Sequence, residues 1–302
     1  FSYRDSLAQD ALGDWLTQRE SHWATLQDAE YRELTIAGHD FDPFDSQAIN
    51  RLLEPHGLVY SAGLGNKARA HFFLADLERV VEHEGYRINV SAREHARDLT
   101  APPAMSMNDN IFIRRESLRR MLWERIEEWR WNRPDNAMGR AIACYDIGSA
   151  PDDALDQMTS TEIDSLILHE IGEVEAGEVL GEQWHDMLSG FPRSRLELMV
   201  RAVRDHLADA LSTLPSLLER QHLPSLHFYF ANLSGIRKQL APSLLNSYEL
   251  WVESNDISGL KKQAARCHEH WLTLARELLG LHRQAGKDTW GQMEALIEKH
   301  YL

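Results

Sequence analysis

Apolar positions change their period twice along the chain. From Ser6 to about Leu34, the residues Leu7, Leu12, Trp15, Leu16, Trp23 and Leu26 recur at three- and four-residue steps, which predicts an opening helix. A turn-rich piece, Gly38-His39-Asp40-Phe41-Asp42-Pro43, leads into a short helix over 46–54 that Pro55 and Gly57 end. Between about 58 and 115 the period shortens. Leu58-Val59-Tyr60 and Ala70-His71-Phe72-Phe73-Leu74 flank a turn at 63–66. Glu78–Glu82 and Tyr86–Val90 flank a turn at 83–85, and Asn110–Arg114 reads as a further strand without an obvious hairpin partner. After Glu116 helical periodicity returns, over 116–131, 136–146, 160–189, 193–214, 225–240, 242–253, 256–283 and 288–300, with Pro and Gly between the segments. The expected fold is therefore mainly α. A small antiparallel β region at about 58–115 precedes a multi-helix domain, with an N-terminal α+β region over 1–134 and a C-terminal helical domain over 135–302.

The helix over 160–189 carries the informative pattern. Thr159-Ser160-Thr161-Glu162 reads as a capping box at its start. Leu166, Ile167, Ile171, Val174, Leu180 and Trp184 fall in one arc of its wheel together with Ile163. Glu170 and Glu173 lie inside that arc and His169 at its edge, while Asp164, Glu175, Glu182, Gln183 and Asp186 take the opposite side. Burying two carboxylates costs several kcal/mol unless each is paired, protonated or bound to a cation. Two acids turned inward beside a histidine thus call for a partner: a divalent metal, or an arginine from elsewhere.

The segment Leu168-His169-Glu170-Ile171-Gly172-Glu173 resembles the active-site helix of zincin metallopeptidases, HExxH, with Glu in place of the second His. The likeness covers residues 169–173 only. It implies His169 and Glu173 as ligands of one divalent metal ion and Glu170 as the base that activates its water. Zinc is the first expectation, and the His/Glu pair also suits iron or manganese. A third ligand must come from another helix. In zincins with a glutamate third ligand it lies on a following helix, which points to Glu197. Its spacing to Arg201 and Asp205 already explains Glu197 as part of a surface ladder, so His206, at the border of an apolar face, is preferred. His268, on an apolar arc with Trp271, Ala275 and Leu278, is the remaining candidate.

The leading functional expectation is a metal-dependent hydrolase acting on an unidentified substrate. The alternatives are a non-catalytic helical scaffold or interaction protein with a buried ion-pair network, and a non-haem iron oxidoreductase using the same ligands. Glu182-x-x-His185 and Glu219-x-x-His222 also resemble the ExxH pairs of ferritin-like di-iron proteins, but no second pair of helices supplies bridging carboxylates.

Composition narrows the picture further. With 43% hydrophobic and 26% charged residues in 302, the chain is of globular type. Its net charge of −15 argues against nucleic acid and anionic membranes as partners. Arg114, Arg115, Arg119, Arg120, Arg125, Arg130 and Arg133 locally reverse that balance, with Trp123, Trp129 and Trp131 between them read as core. No apolar run approaches 18 residues. The two cysteines, Cys144 and Cys267, match no CxxC spacing and read as reduced thiols, so a cytoplasmic protein is expected.

Overall fold

A computed structural model describes residues 8–26, 29–30, 32–64, 70–83, 85–98, 101–107, 110–285 and 289–302. The opening helix α1 (Gln9–Leu26) ends earlier than its periodicity suggests, and Leu34 begins a strand. None of its residues is buried: Leu12, Trp15, Leu16, Trp23 and Leu26 remain exposed because no other described element covers their stripe. The turn-rich piece after it is a small antiparallel hairpin of β1 (Leu34–Ile36) and β2 (His39–Phe41). The short helix α2 (Ser46–Leu53) follows, capped by the Asp45 side chain.

A five-stranded sheet is built from β3 (Leu58–Leu64), β4 (Ala70–His83), β5 (Tyr86–Arg97), β6 (Ala104–Met107) and β7 (Asn110–Arg114), in the order β3-β4-β5-β7-β6. The expected all-antiparallel arrangement is corrected here, because β5 and β7 pair in parallel and the sheet is mixed. The partner missing for 110–114 is twofold. β6, absent from the periodicity because it is only four residues long, pairs along one edge of β7, and β5 pairs along the other. The turn expected at 63–66 falls largely outside the described residues.

Helices α3 (Arg115–Asn132) and α4 (Ala137–Ala143) lead to α5 (Pro151–Leu180). Helix α5 starts about two and a half turns before Ser160, with Pro151 in its first turn. The expected capping box is therefore interior: Thr159 Oγ donates back to the Leu155 carbonyl at 2.6 Å, and Glu162 is fully buried. Gly181, at φ +69°, breaks the segment expected to run to 189, so that Trp184 belongs to α6 (Glu182–Ser189). The chain continues through α7 (Arg195–Ala208), a π-helical turn at Asp209–Thr213, and α8 (Leu214–Arg220). The helix expected over 225–240 is two, α9 (Leu223–Asn232) and α10 (Gly235–Leu240). Helices α11 (Pro242–Ser254), α12 (Ser258–Ala285) and α13 (Trp290–Lys299) complete the helical part.

One apolar core crosses from sheet to helices. Ile88 and Val90 of β5 and Ile111 and Ile113 of β7 pack with Leu118 and Leu122 of α3, Leu155, Met158 and Ile163 of α5, and Phe228 of α9. The second large core lies among the C-terminal end of α5 and α6–α13. Arg114 fixes the junction of β7 and α3. It is buried, its Nε donates to Glu94 at 2.8 Å, and its guanidinium lies 4.6 Å over the Phe73 ring. Arg115, Arg119, Arg120, Arg125 and Arg130 are paired along the surface, for example Arg115 with Glu78 and Arg119 with Asp152 and Asp156. Trp131 is not core but almost fully exposed. No described helix is long and apolar enough to cross a membrane.

Candidate functional site

Four elements bring charged groups to one place: α5, the α7–π junction, α9 and α10. Helices α5 and α7 touch backbone to backbone there. A Cβ on Gly172 would sit 2.2 Å from the Ala208 carbonyl oxygen, so only glycine permits this approach. The chain then turns to π-helical geometry at Asp209, a local irregularity that recurs at functional sites.

The result is a hydrogen bond of 2.9 Å between His169 Nδ1 and Asp209 Oδ1. Asp209 is buried, and its other oxygen accepts from the Tyr229 hydroxyl at 3.1 Å and from Arg237. Arg237 also faces Asp205, with Nε 4.0 Å from Oδ2. On the far side of His169, Nε2 lies 3.6 Å from Glu173, whose carboxylate meets Arg204 at 3.4 Å. Arg204 further donates to the Glu173 backbone carbonyl at 3.2 Å.

Protonation follows from these contacts. Burial alone would lower the His169 pKa, but the hydrogen bond and charge of Asp209, with Glu173 beside it, outweigh burial and raise it to about 9. Burial would raise Asp209, yet Arg237 and His169 hold it well below the usual carboxylate range. Burial pushes Asp205 up to about 6 against the pull of Arg237. Glu170 is raised to about 7 by burial, helped by the nearby Glu173. His169, Arg204 and Arg237 thus stand against the carboxyl groups of Glu173, Asp205 and Asp209 in one network.

This arrangement does not fit the expected metal site. His169 and Glu173 are close together, but Arg204 already holds the Glu173 carboxylate and Asp209 holds His169 Nδ1. A divalent ion would have to displace a guanidinium from a set that is already charge-balanced. Among the described residues no group of three His, Cys, Asp or Glu side chains is placed to hold one. His206 does not join the other two. It is buried, its Nε2 donates to the Arg237 carbonyl at 2.8 Å, and its ring stacks on Trp271 with centroids 4.6 Å apart. Burial and the nearby Arg237 lower its pKa to about 4, which keeps it neutral. Glu197 pairs with Arg201 at 3.0 Å, as its spacing suggests. His268 is exposed on α12, and the ExxH residues Glu182, His185, Glu219 and His222 lie at exposed positions. Glu170, the expected base, is buried beside the network.

A pocket of about 180 Å³ opens beside this network, walled by His169, Asp209, Tyr229, Arg237, Glu162 and Thr213, among others. Pro103 and Met121, from the loop before β6 and from α3, close one side of it. Glu162 is fully buried; one carboxylate oxygen accepts from Ser225 Oγ at 2.9 Å and Oε2 has no hydrogen-bond partner in the described protein. Burial raises its pKa to about 7, against the opposing pull of the Ser165 and Ser225 hydroxyls. Thr213 Oγ1 and Arg237 Nε likewise lack hydrogen-bond partners. Buried polar atoms without partners call for a compensating group, such as an ordered water or a bound molecule.

The pattern of the sequence picks out His169 and the inward glutamates but misses Asp209, Arg237, Tyr229 and Glu162. On the wheel of 193–214 Asp209 falls outside the apolar arc, and it is the π-helical stretch that begins there that accompanies its burial. Arg237 gives no signal either, since it lies on a helix of six residues, too short for a wheel.

The family model described as Family of unknown function (DUF6866) N-terminal domain matches residues 1–114, and the model described as its C-terminal domain matches residues 119–300. No curated protein and no solved structure matches the chain. With the second match alone spanning more than half of its 302 residues, the chain belongs to the family of unknown function DUF6866.

Proposed function

We propose that the helical part is a receptor for a small polar molecule, with His169 as its proton-donating contact. The observation that carries this reading is the pocket in which three buried polar atoms without partners stand beside a histidine held cationic by Asp209. A pocket of that size holds about six water molecules by liquid volume, so its occupant is small. Asp209 does for His169 what a carboxylate commonly does for a catalytic imidazole: it orients the ring and stabilises the imidazolium. A proton held this way is available to an acceptor in the pocket, which makes general-acid chemistry on the bound molecule the accompanying activity.

The hydrolase expectation survives only if a metal enters against the arginines, and one experiment separates the readings. His169 ring signals are followed by NMR while small polar compounds, and separately zinc, manganese and ferrous ion, are added to the full chain. The receptor reading expects a compound to move the His169 signals in the wild type and not in Arg237→Gln, while the metals leave them in place. One equivalent of metal bound through His169 and Glu173 would replace it with the metal-dependent hydrolase. Silence towards every addition would leave the network as a structural scaffold.

A further inference from the structure

Ser225 has a hydroxyl flanked by two groups able to take its proton, in the first turn of α9. Its Oγ donates to Glu162 Oε1 at 2.9 Å, and His222 Nδ1 lies 3.1 Å from the same oxygen. The Ser225 backbone N–H also donates to His222 Nδ1 at 3.4 Å, so the turn that carries the serine fixes the ring beside it. Ser225 and Glu162 are both buried, yet both line the pocket of about 180 Å³. Ser225 and His222 line a second pocket, of about 360 Å³. Ser225 thus stands on a wall common to two pockets.

A serine hydroxyl is a weak nucleophile until an adjacent base takes its proton. Glu162 is suited to that task. Burial raises its pKa to about 7, which makes it a stronger base than an exposed glutamate and leaves it partly ionised at neutral pH. The positive end of the α9 dipole favours an alkoxide in the first turn. Thr213 Oγ1, without a partner on the wall of the smaller pocket, is a donor for a carbonyl oxygen that turns negative. We propose that Ser225 is an acyl-accepting nucleophile with Glu162 as its general base, and that this site hydrolyses small esters. Ser225 Oγ bonds to the acyl carbon as its proton passes to Glu162 Oε1. The ester C–O bond breaks, and the leaving alkoxide takes that proton and departs as the alcohol. Water then adds to the acyl carbon, giving a proton to Glu162, and the carboxylic acid leaves as Ser225 recovers that proton. The receptor reading rests on His169 and the pocket and not on Ser225, so an inert Ser225 leaves it to the NMR titration.

The test incubates the full chain at pH 8 with p-nitrophenyl acetate and, separately, with a small alkyl fluorophosphonate, and peptide mass spectrometry locates the adduct. The wild type is expected to turn over the ester and to carry the phosphonyl group on Ser225, while the urea-unfolded chain stays unlabelled. The adduct is mapped on the wild type, so the result does not depend on a variant folding. Ser225→Ala is expected to lose turnover, and Glu162→Gln to slow both reactions by roughly a hundredfold, the scale of a lost general base. No adduct, an adduct on other residues only, or labelling of Glu162→Gln at the wild-type rate overturns the proposal. An acetyl group that stays on Ser225 without being removed by water overturns it as well.

Discussion

Glu162 is a fully buried acid with one oxygen held by Ser225, and its pKa is raised to about 7. In the unfolded chain it ionises near the ordinary glutamate value, so between that value and about 7 the folded state holds a proton that the unfolded state has released. Its contribution to stability is complete at low pH and is lost as pH rises through about 7. Glu170 behaves the same way, and the loss associated with His169 continues from about 6.5 to about 9. His206 and Asp209 work in the opposite direction, their contributions disappearing as pH falls. Urea unfolding should therefore show greatest stability in mildly acidic solution and a steady decline towards pH 9. Glu162→Gln, which cannot ionise, should lie close to the wild type at pH 4 and exceed it at pH 9 by roughly 3 kcal/mol, the free energy of its shift. A variant that falls off with pH like the wild type would show that Glu162 is not the group responsible. Asp209→Asn isolates the second residue. It removes the partner of two cations and should destabilise by about 3–5 kcal/mol. Where it still folds, the His169 pKa read by NMR should fall from about 9, since the hydrogen bond and charge of Asp209 are gone and Glu173 alone is left to oppose burial and Arg237. His169 and Glu170 are legible from the wheel of α5 as groups needing compensation. Glu162 is hidden by a capping-box pattern that looks like a helix start, although the same wheel puts it at the edge of the apolar arc.

Helix α5 and the α7–π junction are held at a separation that only Gly172 allows. Alanine is favoured over glycine in a helix interior by about 1 kcal/mol, so on propensity Gly172→Ala ought to stabilise. The contact reverses the sign: a Cβ 2.2 Å from the Ala208 carbonyl oxygen must push two backbones apart, and overpacking costs typically about 1–3 kcal/mol, with a backbone clash at the upper end. The variant should melt lower, and its His169 pKa should fall with the lengthened hydrogen bond to Asp209. A higher melting temperature would mean that the helices are free to separate. At this scale the sequence is a good guide to which stretches are helical and a poor one to where they begin and break. Pro151 opens α5 unseen because Asp152 and Asp153 dilute the apolar pattern of its first turns. Gly181 and the pair Leu233-Ser234 interrupt what periodicity alone joins. The strand partner of β7 was illegible for a different reason: parallel pairing of β5 and β7 is a long-range event with no local turn to announce it.

The whole molecule is joined through the core that β5 and β7 share with α3, α5 and α9. Ile113 lies at the centre of that core, fully buried, and Ile113→Ala should cost roughly 2–5 kcal/mol. Because α5 carries both this core and the charged network, the loss should appear in both parts at once: one calorimetric transition, shifted down, with His169 signals lost at the same temperature as those of the sheet. Two separated transitions would show the sheet and the helices to be independent. The mainly helical class and the presence of strands near 58–115 are both readable from periodicity. The sharing of one core between them is not, since the wheel of a helix reports that a face is buried and not against what.

Pro103 and Met121 sit on the wall of the pocket beside the charged network, and Pro103 belongs to the part of the chain matched by the N-terminal family model. The helical region by itself would thus be a vessel with a missing side. A gene fusion or split that parted the two regions would keep every charged residue of the network and still leak. The two regions have to be inherited together for the pocket to close, or a replacement for that proline wall has to be found. In this chain the boundary between family regions is a seam in the sequence and not in the site.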